Sequence, residues 1–371
     1  MRGGTSKGLF LLTSDLPRDP AARDALLVRA MGSPDPYGKQ IDGLGGASSS
    51  TSKVILVAPA ERDDADVAYW FGQVPVNGTT IDWSGNCGNL TAAVAPFAIH
   101  RGLVKAPERG EASVRLWQGN LGKRIIARVP VIDGHPLEHG DFQLDGVAFP
   151  NAPVTLTFVD PGGAEDGRML PTGNVIDTLV LPDGTEVTAS LINAGNPMIF
   201  VAATAWGIDC TASQAELNSD PERLARCEQI RLAGAVAMGL ASTIEEAATR
   251  QHTPKLAFMA PSAGFVAADG RRFAEGDVDV CTRVLSIGVF HHAIPGTAAI
   301  AIAAAAGLPG AIVARQLAAD PAGPLRVGPP SGRTEVAASV VEENGRRILE
   351  SATMRRSART LMDGWICVPA A

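Results

Sequence analysis

The chain of 371 residues has only five cysteines, at positions 87, 210, 227, 281 and 367, and none is spaced as Cys-x-x-Cys. Their odd number and scatter give neither a disulfide framework nor a zinc knuckle, and a reducing, cytoplasmic setting fits best. Runs of lysine or arginine are also missing. With 32 basic against 39 acidic residues and a net charge of −7, no basic face is indicated, which argues against a nucleic-acid partner. The first residues, Met-Arg-Gly-Gly-Thr-Ser-Lys-Gly, lack the apolar region of an export signal. A stretch without Asp, Glu, Lys or Arg runs between Arg283 and Arg315, long enough in principle to span a bilayer. It is alanine-rich, contains His291-His292, and is cut by Pro295-Gly296 and Pro309-Gly310 to residues 297–308. That length suits a core helix, so no membrane partner is expected.

What is present begins with size. Apolar residues at 46% and charged residues at 19% describe a globular chain, and 371 residues exceed one ordinary core, so two domains of comparable size are expected, 1–185 and 186–371. An internal repeat supports the division. Residues 51–59 read Thr-Ser-Lys-Val-Ile-Leu-Val-Ala-Pro and residues 253–261 read Thr-Pro-Lys-Leu-Ala-Phe-Met-Ala-Pro, with Thr, Lys, Ala and Pro in register. Lysine, then four apolar residues, then a proline stop predicts a fully buried strand in each copy. Each copy leads through a glycine-containing loop into an apolar helix, at Gly88 and at Gly296. An earlier pair agrees: Gly3-Gly4-Thr5-Ser6 and Asn193-Ala194-Gly195-Asn196 are both polar glycine turns that run into apolar residues. Further strands are predicted at 154–159 and 178–181, a turn at Asp183-Gly184, and a polar helical stretch over 212–231. Helices apolar on nearly every side require cover all round. The fold class read from this pattern is α+β, with two similar domains, each a central apolar helix wrapped by strands, facing each other across a cleft.

Gly85-Asn86-Cys87-Gly88-Asn89 puts a thiol where the second of these elements, the helix, begins. Unpaired N–H groups and the positive end of the dipole favour negative charge there, whether a thiolate, a carboxylate or a developing enolate. A lone cysteine is more often a small core hydrophobe, but two glycines permit close approach of a ligand and two asparagines bring polar groups where a core would have carbon.

Several long motifs together carry a resemblance. They are Met1-Arg-Gly-Gly-Thr-Ser-Lys-Gly8, Gly32-Ser-Pro-Asp-Pro-Tyr-Gly-Lys-Gln-Ile-Asp-Gly43, Ser50-Thr-Ser-Lys53, Trp83-Ser-Gly-Asn-Cys-Gly-Asn-Leu-Thr-Ala-Ala-Val94, Arg250-Gln-His-Thr-Pro-Lys255, His291-His292 with Pro295-Gly-Thr-Ala-Ala299, and Ser357-Ala-Arg359. From end to end the chain resembles the 2-methylaconitate cis-trans isomerases of the PrpF family. The resemblance implies a fold similar to diaminopimelate epimerase, in which the last strand, about 360–371 here, crosses to the first domain. It implies a cofactor-independent isomerisation of 2-methyl-trans-aconitate in the 2-methylcitrate cycle of propionate breakdown, with Lys53 and Cys87 lining the active site. Functional pairing with a companion methylcitrate dehydratase and a homodimeric state are carried with it as expectations. Family members have several residues ahead of the arginine-glycine-glycine motif, where this chain begins at Met1, so a shortened first strand is expected. The epimerase pattern has a second cysteine before the Gly-Thr of the other helix. Here that residue is Pro295, so racemisation by two thiols is excluded and the second half is expected to bind anions.

Isomerising a tricarboxylic alkene needs a base for an allylic proton, holders for carboxylates, and stabilisation of the dienolate charge. Asn86, Gly88, Asn89, Gly296 and Thr297 at the two helix starts answer the last two needs. For the base the sequence offers Lys53 and Cys87 and does not choose, since a lysine can also stay protonated as a clamp. Arg2, Thr5, Ser6, Ser49 and Ser50, in glycine- or serine-rich loops, and Asn196 in the second polar turn are read as substrate-binding, with turn-making as the competing reading. Lys255, the repeat partner of Lys53, and His292 join them. A nucleotide is disfavoured because Lys7 precedes Gly8, the reverse of a phosphate loop. Metal is not expected, since the side chains of His291 and His292 should diverge on a helix or strand and no third ligand lies near. The remaining cysteines are read as structural. A 4-oxalomesaconate tautomerase is the runner-up; Pro36-Tyr-Gly-Lys39 and Trp83-Ser-Gly85 favour the methylaconitate branch. A non-catalytic carboxylate-binding partner of the dehydratase is the alternative of another class.

Overall fold

The computed structural model describes residues 1–162, 168–250, 253–321, 323–343 and 346–369. Gln251 and His252, in the Arg250–Lys255 motif, lie outside the described residues. The chain divides into two compact units, unit 1 comprising residues 1–159 and 355–371 and unit 2 residues 160–354.

Unit 1 opens with a tight hairpin, β1 (Arg2–Gly3) and β2 (Ser6–Lys7), followed by β3 (Leu9–Leu12), helix α1 (Pro20–Ala30), β4 (Lys53–Pro59) and β5 (Val67–Gln73). Strand β4 runs parallel to β3 and antiparallel to β5, with Lys53 opposite Gln73. Its Val-Ile-Leu-Val run is buried on both faces, as a central strand in a covered sheet must be, and Pro59 ends it. Helix α2 (Gly88–His100) comes next, then β6 (Arg109–Gln118), β7 (Lys123–Ile132), β8 (His135–Pro136) and β9 (Pro153–Val159). Strands β6 and β7 alternate buried and exposed residues, so one face of the sheet is wet while the other packs inward. Residues Gly88 to Ile99 of α2 are all buried, and the helix meets β1, β2, β4, β5, β7, β8 and β9. Such burial requires the sequence it has, alanines with Leu90, Val94, Phe97 and Ile99 and no charge before its last turn.

Unit 2 repeats the plan. A β10–β11 hairpin (Asp177–Val180 and Glu186–Ala194) pairs with β12 (Asn196–Ala202). Helices α3 (Gln214–Asn218), α4 (Pro221–Ala237) and α5 (Ile244–Thr249) intervene before β13 (Lys255–Pro261). After a small β14–β15 hairpin (Phe265–Val266, Arg272–Phe273) come β16 (Val280–Ser286), β17 (Val289–Phe290), helix α6 (Gly296–Ala306), β18 (Leu325–Gly328), β19 (Thr334–Glu343) and β20 (Arg346–Arg359). Strand β13 is parallel to β12 and antiparallel to β16, β16 is parallel to β18, and β18 and β19 are antiparallel. The same relations hold in unit 1 for β3, β4, β5, β6 and β7. The duplication is thus one of strand pairing as well as of sequence.

Three expectations need correction. The division falls after Val159, not near 185, because residue 185 sits in the turn of the β10–β11 hairpin, whose two strands pair with each other and cannot belong to different units. The last strand is β20, ending at Arg359; its residues through Met354 pair with β19 in unit 2, and Ala358 and Arg359 pair with β1 in unit 1. Residues 360–369 form no strand. The helical stretch over 212–231 is two helices, because Asp220 caps a new start and Pro221 occupies its first position, where the missing N–H costs nothing.

Candidate active site

Cys87 is the N-cap of α2, in extended backbone, and no side chain caps the helix. The first bond back to it is Thr91 N–H to the Cys87 carbonyl, which leaves the N–H groups of Gly88, Asn89 and Leu90 pointing outward. The thiol is half-buried and reaches Ser6 Oγ at 3.9 Å. The turn that carries it is held from below by Tyr69. That wholly buried phenol lies 2.8 Å from Thr91 Oγ1 and donates to Asn86 Oδ1 at 3.2 Å, while the Thr91 hydroxyl bonds the Cys87 carbonyl at 3.0 Å. Burial drives the Tyr69 pKa upward, so it stays a neutral strut.

Lys53 opens β4 and is 7% exposed. Its Nζ donates to Gln73 Oε1 at 2.5 Å and lies 4.9 Å from the centre of the Phe71 ring. Gln73 in turn donates to the Ser52 carbonyl at 2.8 Å, which fixes the acceptor. Burial lowers the Lys53 pKa, and the opposing influence is the charge of Cys87. A negative charge on the sulfur and a positive charge on the amine would therefore stabilise one another.

The polar hairpin of β1 and β2 closes the same place. Gly4 has φ +52°, and a Cβ there would sit 2.4 Å from Asn89 Oδ1; one on Gly3 would sit 2.7 Å from the Asn89 carbonyl. Only glycine allows the turn to lie against the helix start, where Asn89 Nδ2 donates to Thr5 Oγ1 at 3.0 Å. Arg2 donates to the carbonyls of Gly4 and Ser357 at 3.0 and 2.9 Å and to Asn151 Oδ1, so it locks the hairpin to β20. Burial, then Arg359, lowers its pKa to about 10. Ser50 gives its carbonyl to Lys7 N–H at 2.9 Å, and Ser49 is exposed in the same loop. Arg2, Thr5, Ser6, Lys7, Thr51 and Arg359 line a cavity of about 280 Å³, a cationic recess within unit 1.

Unit 2 holds the counterpart. Lys255 opens β13, is 5% exposed, and donates to Ser286 Oγ at 3.0 Å, as Lys53 does to Gln73. Helix α6 starts at Gly296 behind Pro295, again with no side-chain cap, and Gly296 and Thr297 are buried. Gly195, φ +66°, brings the turn before Asn196 against α6, a Cβ there lying 3.1 Å from Ile300 and from the Thr297 carbonyl. His291 and His292 do not diverge. They lie in a bend rather than a helix or strand, and their rings stack with centroids 4.6 Å apart. His292 is half-buried and its pKa is lowered by burial. No group of three metal-ligating side chains occurs among the described residues.

Burial pushes the Cys210 and Cys227 thiols up to about 12 and raises Cys281, as suits core thiols. Cys367, read as structural, is exposed. Tyr69 and Gln73 were missed by sequence reasoning; the signal for Gln73 was its register opposite Lys53, visible only once β4 and β5 are paired.

The family model described as PrpF protein matches residues 1–369. The 2-methyl-aconitate isomerases of Shewanella oneidensis and Cupriavidus necator are each 50% identical over 100% of this chain and 96% of theirs. A solved methylitaconate-delta-isomerase is 37% identical with a TM-score of 0.83, covering 99% of this chain and 94% of that one. A hydroxyproline epimerase from Agrobacterium vitis, 15% identical, shares the fold with a TM-score of 0.52 over 96% of this chain and 88% of its own. No helix among the described residues is long and apolar enough to cross a membrane.

Proposed function

We infer that this chain, which belongs to the PrpF protein family, is an isomerase that converts 2-methyl-trans-aconitate into 2-methyl-cis-aconitate by moving an allylic proton. The observation that supports this mechanism most is a buried lysine at the start of β4, its pKa lowered by that burial, together with a thiol at an uncapped helix start. Conjugation of the double bond to carboxylates makes the neighbouring C–H acidic enough that no cofactor is required. Lys53, as a neutral amine, takes the proton; the electrons of the broken C–H bond spread into a dienolate, whose charge falls on a carboxylate held by the open N–H groups of α2. The former double bond, now partly single, rotates, and the proton returns to carbon to fix the other isomer. Cys87, at the start of the same helix, is the second proton carrier. On this proposal Lys255, Gly296 and Thr297 of unit 2 are carboxylate-binding groups.

The test is NMR of 2-methyl-trans-aconitate with the purified protein in deuterated water. Deuterium at the allylic carbon, appearing at a rate comparable with isomerisation, is the expected result. Isomerisation of the substrate with no label at any carbon, under conditions where the amine and thiol exchange with solvent, would sink the proton-transfer route.

A further inference from the structure

Arginines 231, 283 and 356 are each 4% exposed or less, and burying a guanidinium is costly unless its donors and charge are met. The donors of two of them are met. Arg231 forks onto Glu228 at 2.8 and 2.6 Å and donates to the carbonyls of Ala247, Arg250 and Thr253. Arg283 donates to the carbonyls of Ala212, Thr282 and Gly328. Arg356 has, among the described residues, a single acceptor, the carbonyl of its neighbour Arg355 at 3.1 Å. Burial lowers its pKa to about 10, with no acidic group offsetting the shift.

Its place is set by register. Ala358 lies opposite Gly3, and the face that Gly3 presents meets Asn89, Leu90 and Ala93 of α2. Alternation along β20 puts Arg356 on that same face, and the antiparallel pairing puts it two residues nearer the helix start, at the level of the Gly4–Thr5 turn. There Asn89 holds Thr5 and the first N–H groups of α2 are open.

We propose that Arg356 is a substrate-binding residue, its guanidinium receiving a carboxylate of a di- or tricarboxylate anion seated at the start of α2. A planar fork with most of its donors unspent matches a carboxylate, and the anion supplies the charge the protein withholds. The choice of a polycarboxylate rests on the function proposed above; the unspent buried guanidinium does not.

The test uses tricarballylate, a saturated tricarboxylate that cannot be isomerised, and calorimetric titration of the wild type, Arg356→Met and Arg356→Lys. Wild-type binding weakened about ten- to a hundredfold in Arg356→Met is expected, the size of a lost charged hydrogen-bond pair. The melting temperature of ligand-free Arg356→Met should equal or exceed that of the wild type, since an unmet charge is removed. Arg356→Lys, which keeps the charge, should also lose affinity because the fork is gone. Wild-type affinity in either folded variant, a wild type that binds no tricarballylate, or a ligand-free Arg356→Met that melts well below the wild type would overturn the assignment. Wild type that binds tricarballylate but fails to isomerise 2-methyl-trans-aconitate would instead count against the proposed reaction, with the Arg356 assignment still decided by the binding data.

Discussion

The two units put a lysine at the same place, the first residue of a buried strand, and an uncapped helix start after it, yet they arm these positions differently. In unit 1 the residue before the helix is Cys87, a thiol whose ionisation would oppose the lowering that burial imposes on the Lys53 pKa. In unit 2 it is Pro295, which has no proton to give and no side-chain acceptor, while Lys255 rests on the hydroxyl of Ser286. On the proposed function, one backbone supplies two kinds of site, proton chemistry in one copy and anion binding in the other. Duplication conserves helix starts cheaply, because they are backbone; the chemistry depends on single side chains placed beside them.

The sharpest way to break the comparison is to disarm each lysine in turn. Lys53→Met and Cys87→Ala should each lower kcat on the order of 10²- to 10⁴-fold, the usual contribution of a positioned acid or base. Lys255→Met should raise KM about ten- to a hundredfold with kcat changed far less, as for a lost charged hydrogen bond. Steady-state kinetics of the three variants decide; equal kcat losses at 53 and 255 would erase the distinction between the halves.

A stability test sharpens the backbone side. Gly4→Ala and Gly195→Ala both force a side chain into the left-handed region, at a cost of about 1–3 kcal/mol each. Gly4→Ala should be the more damaging, because its Cβ meets Asn89 Oδ1 at 2.4 Å while that of Gly195 finds Ile300 at 3.1 Å. Denaturant midpoints would check the order. The smallest effect concerns pH. The folded Lys53 pKa lies below the unfolded value of 10.5, so between the two the unfolded chain holds a proton that the native protein has shed, and stability rises with pH. Lys53→Met should then melt higher than the wild type at neutral pH, and the gap should close as pH approaches 10.5.

The repeat, the two helix starts and the positions of Lys53 and Cys87 at element starts were legible because each is marked by local pattern: a lysine before an apolar run, a glycine before an uncharged helix. What depended on long-range pairing was not. Gln73 acquires its meaning from facing Lys53 across two strands, and Tyr69 from lying beneath a turn that is distant in sequence. The unit boundary was misplaced because a Gly-containing turn at 183–184 looks the same inside a hairpin as between domains. Arg356 sits in an Arg-Arg-Ser-Ala-Arg run with no local pattern to mark it, and only its burial separates it from Arg355 and Arg359.

The central claim is that Lys53 is held as a readily neutral amine by burial beside Cys87. Site-resolved NMR titration of the Lys53 Nζ, in wild type and Cys87→Ser, measures it directly. A titration well below 10.5 in the wild type, moving lower still when the charge of residue 87 is removed, is the expected result. An amine that titrates at 10.5 and ignores the substitution would contradict it.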